Sequence, residues 1–187
     1  MIPWERVQAA SAVIFDCDGT LVDSMPIHFL AWHQTMKAVG LELPEDRFYA
    51  MGGIPTHRII ATLAEEQRVS VDPYATAARK EEAFFELLHL LEPIPNVVAV
   101  AKKLRNQKPI AVASGGTRQG VERQLRHVGI LDWFPVIVCA EDTARHKPDP
   151  DVFLETAKRL QVPPEKCLVF EDAELGIEAR SEEHTSE

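Results

Sequence analysis

The stretch AVIFDCDGTLVDS, residues 12–24, runs an apolar segment into two aspartates one residue apart, Asp16 and Asp18. Gly19, Thr20 and a third acid, Asp23, follow. Carboxylates this close repel each other unless a positive charge is expected among them. Three further groups come after other short apolar runs: Ser114-Gly115-Gly116, then Glu141-Asp142 with His146-Lys147 a little later, then Glu171-Asp172. Acids, a hydroxyl and a lysine are the parts needed to hold a hard divalent cation, grip a phosphate and move a proton. Taken singly, each has a plain structural reading. A serine before two glycines makes a turn, a lysine before proline sits on a surface, and acids suit a helix N-terminus. Their convergence on one place is what would make a site.

Convergence depends on the elements that carry them. The runs Ala12–Phe15, Ile110–Ala113, Val136–Cys139 and Leu168–Phe170 are short, mostly Val- and Ile-rich, and read as buried parallel strands. Helical spacing precedes the second run and fills the gaps between the last three. Val97, Ala101 and Leu104 share a face over 96–106. Val121, Leu125 and Val128 do so over 118–128, with Gly129 as the stop. Asp149-Pro150 reads as an N-cap and first helical residue before Phe153, Ala157 and Leu160. The alternation predicts an α/β fold, a doubly wound parallel sheet with a Rossmann-like core, whose sites form at the carboxyl ends of the strands.

Residues 24–90 break that rhythm. Phe29, Trp32, Met36 and Val39 recur at helical spacing, as do Ile59, Ile60, Leu63 and Ala64, and then Phe84, Leu87, Leu88 and Leu91, with no strand pattern between. The expected organisation is an α/β core from 1–23 and 91–187 and an all-helical insertion, 24–90. Asp23 and Ser24, at the exit toward the insertion, read as hinge or helix-cap residues.

Composition narrows the partners. A net charge of −9 argues against a nucleic-acid-binding face. No apolar run approaches the roughly 20 residues of a membrane span, and the N-terminus lacks the features of a signal peptide. Cys17, Cys139 and Cys167 are too scattered for a metal site and read as packing residues in a reducing compartment. Strand alternation turns Cys17 away from both neighbouring acids, which argues against a nucleophilic role. A cytoplasmic monomer with neither membrane nor nucleic-acid partner is expected.

The four groups, in this order, resemble the haloacid dehalogenase-like hydrolase superfamily: Asp16-Cys17-Asp18-Gly19-Thr20, Ser114, Lys147-Pro148 and Glu171-Asp172. The insertion after the first group is similar to the cap of the β-phosphoglucomutase-like branch. HFLAW, residues 28–32, and IPTHR, residues 54–58, look most like bacterial fructose-1-phosphate phosphatases. The resemblance implies a phosphatase acting on a small phosphorylated sugar or polyol through an aspartyl-phosphate. Asp16 would attack phosphorus. Mg²⁺ would be held by Asp16, the Asp18 carbonyl and Asp172, with Glu171 beside it or acting through water. Asp18 would protonate the leaving oxygen and then deprotonate the attacking water. At an ordinary aspartate pKa it would carry a proton only about one time in a thousand at pH 7, so exclusion of water by a closing cap would have to raise it. Ser114, with Gly115, would grip the phosphate, and Lys147 would neutralise it and Asp16. Thr20 would assist Asp18, while His28 and Arg58 would meet the sugar. His28 alone could equally be a satisfied helix histidine, and Arg58 a solvated one.

Competing readings meet specific residues. A true dehalogenase has no leaving alkoxide and no use for Asp18. Phosphonate-cleaving relatives use a cap lysine, and none lies between Lys37 and Lys80. A β-phosphoglucomutase-type mutase stays open through His28, although Met51 stands where its lysine is expected. A phosphorylated receiver domain would place its aspartate later in the chain, without an insertion. The intact Asp16/Asp18 pair argues against a non-catalytic binding protein. Beyond Ala179 the family pattern continues with a further strand and helix, whereas RSEEHTSE, residues 180–187, resembles a translated sequencing adapter; the core is expected to be truncated here and less stable for it.

Overall fold

The computed structural model describes residues 4–51 and 54–181. Four parallel strands form one sheet in the order β3-β2-β1-β4: β1 (Ala12–Phe15), β2 (Ile110–Ala113), β3 (Val136–Val138) and β4 (Cys167–Phe170). Every residue of the two central strands, β1 and β2, is buried, as continuous apolar runs require of a sheet covered on both faces. Among the described residues, β3 and β4 are edges. Their residues are mostly half-buried, and β3 is one residue shorter than its apolar run while β4 starts one residue earlier. Cys139 leaves the strand to start a short 3₁₀ turn, Ala140–Asp142.

Helices α1 (Trp4–Ala9), α6 (Pro95–Leu104), α7 (Arg118–His127), α8 (Asp151–Leu160) and α9 (Glu174–Ser181) accompany the sheet. On one face Ile14, Ala113, Val138 and Val169 pack with Val152 and Phe153 of α8 and Ala179 of α9. Phe15 stacks on Phe170 at 5.1 Å and meets Phe134 edge-on at 6.0 Å. Thr117 caps α7 by accepting from the Gly120 amide, and Gly129, at φ 73°, ends it in a Schellman turn: its amide bonds the Arg126 carbonyl and that of Ile130 the Leu125 carbonyl. Helix α8 begins later than Asp149-Pro150 suggests. Pro150 itself holds the N-cap position, and the Asp149 amide closes a turn onto His146.

The described residues fall into two compact units, one of 4–23 with 92–181 and one of 24–51 with 54–91. The second is helical: α2 (Met25–Ala38), α3 (Glu45–Ala50), α4 (Thr56–Gln67) and α5 (Pro73–Glu86). It has its own core of Trp32, Met36, Leu41, Leu43, Phe48, Ile59, Ile60 and Leu63. Asp72 caps α5 by accepting from the Tyr74 and Ala75 amides, with Pro73 in the first turn. Ser24 occupies the N-cap position of α2 without a side-chain cap bond, a correction to the capping role expected of it. The tail expected over 180–187 lies outside the described residues from Glu182 onward, and α9 runs through Ser181.

Candidate active site

The loop after β1 is closed by its own backbone. The Cys17 carbonyl accepts from the Leu21 and Val22 amides, and the Gly19 amide donates to Val22. Gly19 takes φ 79°, open to glycine at little cost. The turn leaves Asp16 buried at the end of β1 and sends Cys17 into the core, fully buried, where desolvation holds its thiol well above the ordinary range. The expectation that Cys17 packs into the core agrees with this burial.

Lys147 reaches back from the loop before α8. Its Nζ lies 2.8 Å from Asp16 Oδ1, 2.6 Å from Glu171 Oε2 and 5.0 Å above the Phe153 ring. Burial alone would lower the lysine's pKa. The charges and hydrogen bonds of Asp16 and Glu171 outweigh it, and the ammonium is held well above its usual value. Asp16 is pushed the other way by burial, relieved by Lys147 and aggravated by Glu171 and Asp18, to about 7.

One carboxylate oxygen from each of Asp16, Glu171 and Asp172 lies within 4.8 Å of the others. Three acids offering only hard oxygen donors suit Mg²⁺. Both Glu171 oxygens already have partners, Lys147 on Oε2 and the Ala173 amide at 3.1 Å on Oε1. That suits Glu171 to hold Lys147 more than to bind a cation directly. The Asp18 carboxylate is not part of this cluster; one of its oxygens faces Gly116 instead.

Thr20 corrects an expectation. Its hydroxyl donates to Asp172 Oδ1 at 2.7 Å, so its proton serves Asp172 rather than Asp18 or a substrate. Burial raises the Asp172 pKa, and this hydrogen bond works against the rise. At the end of β2, Ser114 is buried, with its amide bonded to the Val138 carbonyl and its Oγ accepting from the Gly116 amide at 3.0 Å. That leaves the serine hydrogen available for an incoming anion. Gly115 is exposed beside it, and a methyl group there would meet nothing within 4 Å.

The acids after β3 do other work. Glu141 accepts from the Arg118 amide at the start of α7, and Asp142 binds the Cys139 amide and the guanidiniums of Arg118 and Arg159. They tie the edge strand to its helices and stand apart from the acid cluster.

Within the helical unit, His28 is half-buried on α2. Its ring stacks on Phe84 at 4.0 Å, and its Nδ1 lies 2.9 Å from Lys80 Nζ. An ammonium only donates, so Nδ1 accepts, and the neutral ring carries its hydrogen on Nε2. Lys80 is itself buried, bonded to Glu81 and set near the Trp32 and Phe84 rings. The sequence singles out His28 but not Lys80; a lysine in an otherwise apolar helical face was the available signal. Arg58 is exposed on α4.

Residues 10–181 match the haloacid dehalogenase-like hydrolase family. This chain is a haloacid dehalogenase-like hydrolase. Fructose-1-phosphate phosphatase YqaB of Escherichia coli (strain K12) is 39% identical to it over 170 residues, 90% of each chain. β-Phosphoglucomutase of Bacillus subtilis (strain 168) is 31% identical over 176 residues, covering 90% of this hydrolase and 77% of the mutase. The crystal structure of β-phosphoglucomutase (pgmB) from Clostridium difficile superimposes with a TM-score of 0.82 at 26% identity, covering 93% and 81% of the two chains.

Proposed function

We propose that this hydrolase is a Mg²⁺-dependent phosphatase of small phosphorylated sugars or polyols, fructose 1-phosphate foremost, working through a phosphorylated Asp16. The observation that carries the reading is the arrangement of Asp16, Lys147 and Glu171, whose side chains are largely buried, with the more exposed Asp172 beside them. A nucleophilic carboxylate sits against a fixed ammonium, beside acids able to hold a hard cation. The names of the two relatives support the sugar phosphate, and the phosphatase at 39% identity favours hydrolysis over mutase transfer.

In this mechanism Asp16 forms its P–O bond as the bond to the sugar oxygen breaks, and Asp18 gives that oxygen a proton. Ser114 and Lys147 stabilise the phosphoryl oxygens. Water, deprotonated by Asp18, then displaces Asp16 from phosphorus. Mg²⁺ held by Asp16, Asp172 and the Asp18 carbonyl would draw charge from the phosphate oxygens. His28, through Nε2, and Arg58 bind hydroxyls or a distal phosphate of the sugar.

The test is phosphate release from a panel of sugar phosphates and an aryl phosphate, with Mg²⁺ and with chelator. Metal-dependent release, greatest for a ketose 1-phosphate, is expected. Activity confined to nucleotides or phosphoproteins would overturn the substrate, and isomerised sugar phosphate without free phosphate would favour the mutase. His28→Ala should cost the sugar phosphates about tenfold more than the aryl phosphate, the scale of one lost hydrogen bond.

A pH-dependent metal effect follows from Asp16. Its folded pKa, about 7, stands above the unfolded value of 3.8. Between those values the folded chain holds the extra proton, so this group's stabilisation is complete below 3.8 and lost as pH rises through about 7. In chelator, the melting temperature of wild type should therefore fall more between pH 5 and pH 8 than that of Asp16→Asn. Mg²⁺ competes with that proton, and its stabilisation should be larger at pH 8 than at pH 5. An equal Mg²⁺ effect at both values would remove Asp16 from the ligand set.

A further inference from the structure

Gly176 sits in the first turns of α9, buried, on a helix where alanine would be the better residue by propensity. Its φ is not positive, so backbone conformation does not demand glycine there. Space does. A methyl group built on Gly176 would lie 2.5 Å from Glu171 Cγ and nearer still to its Cδ and Oε2. No other residue is among its three nearest neighbours. The displaced oxygen, Oε2, is the one that accepts from Lys147 at 2.6 Å. The Glu171 side chain is 1% exposed, so in the native chain this carboxylate is packed into its seat. Gly19 does the same for Asp172, but its positive φ means that a substitution there would mix strain with contact. Gly176 is the cleaner case.

We propose that Gly176 is a positioning residue: its bare backbone forms the seat for Glu171, and Glu171 seated there fixes Lys147 against Asp16. Glycine is kept at the expense of helix propensity because any side chain would push the carboxylate off the ammonium. A flexible acid can swing away at modest cost, so Gly176→Ala folds with Glu171 displaced and Lys147 held only by Asp16 and the Phe153 face. Its bearing on turnover rests on the proposed role of Lys147. The seat itself does not, and the test keeps the two apart.

The experiment is amine labelling followed by peptide mass spectrometry, in chelator and without substrate. Lys158, whose side chain is 78% exposed, serves as the internal standard. Labelling of Lys147 relative to Lys158 should rise about tenfold in Gly176→Ala, the scale of one lost charge-assisted hydrogen bond. It should rise similarly in Glu171→Ala, and adding Gly176→Ala to Glu171→Ala should change it by less than about twofold. Thermal midpoints give a second readout of opposite sign. With Glu171 present, Gly176→Ala should not raise the midpoint. With Glu171 removed, it should raise it by about 2–4 °C as helix propensity takes over. Unchanged Lys147 labelling in a folded Gly176→Ala chain, or additive effects in the double variant, would overturn the proposal. If Gly176→Ala does not fold but the double variant does, the clash is with Glu171 and the proposal stands. If the double variant fails to fold, the methyl has another opponent and the proposal falls. Labelling that behaves as stated alongside a chain inactive on every phosphate would keep the seat and remove the reaction.

Discussion

Asp16→Asn is expected to end turnover while the chain stays folded. The substitution keeps the volume of a buried side chain and removes the oxygen anion that would attack phosphorus. Deleting a covalent nucleophile costs on the order of 10⁶-fold in rate where such losses have been measured. Stability should move little. Lys147 still has Glu171 at 2.6 Å, and the amide relieves the repulsion that Glu171 and Asp18 exert on Asp16. At pH 8 in chelator, where ionised Asp16 is least welcome, the variant should melt at or above wild type. Phosphate release from an aryl phosphate and a sugar phosphate, with a melting curve on the same sample, decides it. Turnover within tenfold of wild type would remove Asp16 as the covalent residue; inactivity with a collapsed melting curve would show a structural part instead.

Such an expectation could be framed early because the strands that carry the chemistry are written plainly. Ala12–Phe15 and Ile110–Ala113 are buried on both faces, so their composition alone marks them, and the acids and serine that follow stand out against it. The edge strands blur because most of their residues are only half-buried, and that is where one-residue shifts appear. Short α1 and α3 carry too little apolar periodicity to be read. Side-chain partnerships are a different matter. Thr20 lies 152 positions from Asp172 and Lys147 131 from Asp16. Which acid a hydroxyl chooses depends on β1 and β4 being neighbours, and that pairing is tertiary. The same holds for Glu141 and Asp142, which look like site acids until Arg118 and Arg159 claim them, and for Gly176, whose reason lies in a carboxylate from the preceding loop.

Asp18→Ala should separate the two halves of the reaction. Asp18 stands outside the acid cluster, its backbone bridged to Val22 and a carboxylate oxygen turned toward Gly116 beside Ser114. From there its proposed duties are protonic: one proton to the leaving sugar oxygen, then one from the water that attacks phosphorylated Asp16. General acid–base help of this kind is worth about 10²–10⁴-fold, or about 3–5 kcal/mol of barrier. With a sugar phosphate, the variant should lose that factor in the first step, because an alkoxide leaves poorly without a proton. A nitrophenolate needs none, so the aryl phosphate should still phosphorylate Asp16 at nearly the wild-type rate. Hydrolysis of the phosphorylated enzyme then lacks its base. The variant should release one equivalent of nitrophenol per chain in a rapid burst and stall, with the phosphorylated chain visible by mass spectrometry. Slow release from the first turnover, with no burst and no phosphorylated chain, would show that Asp18 is needed to build the site rather than to move protons.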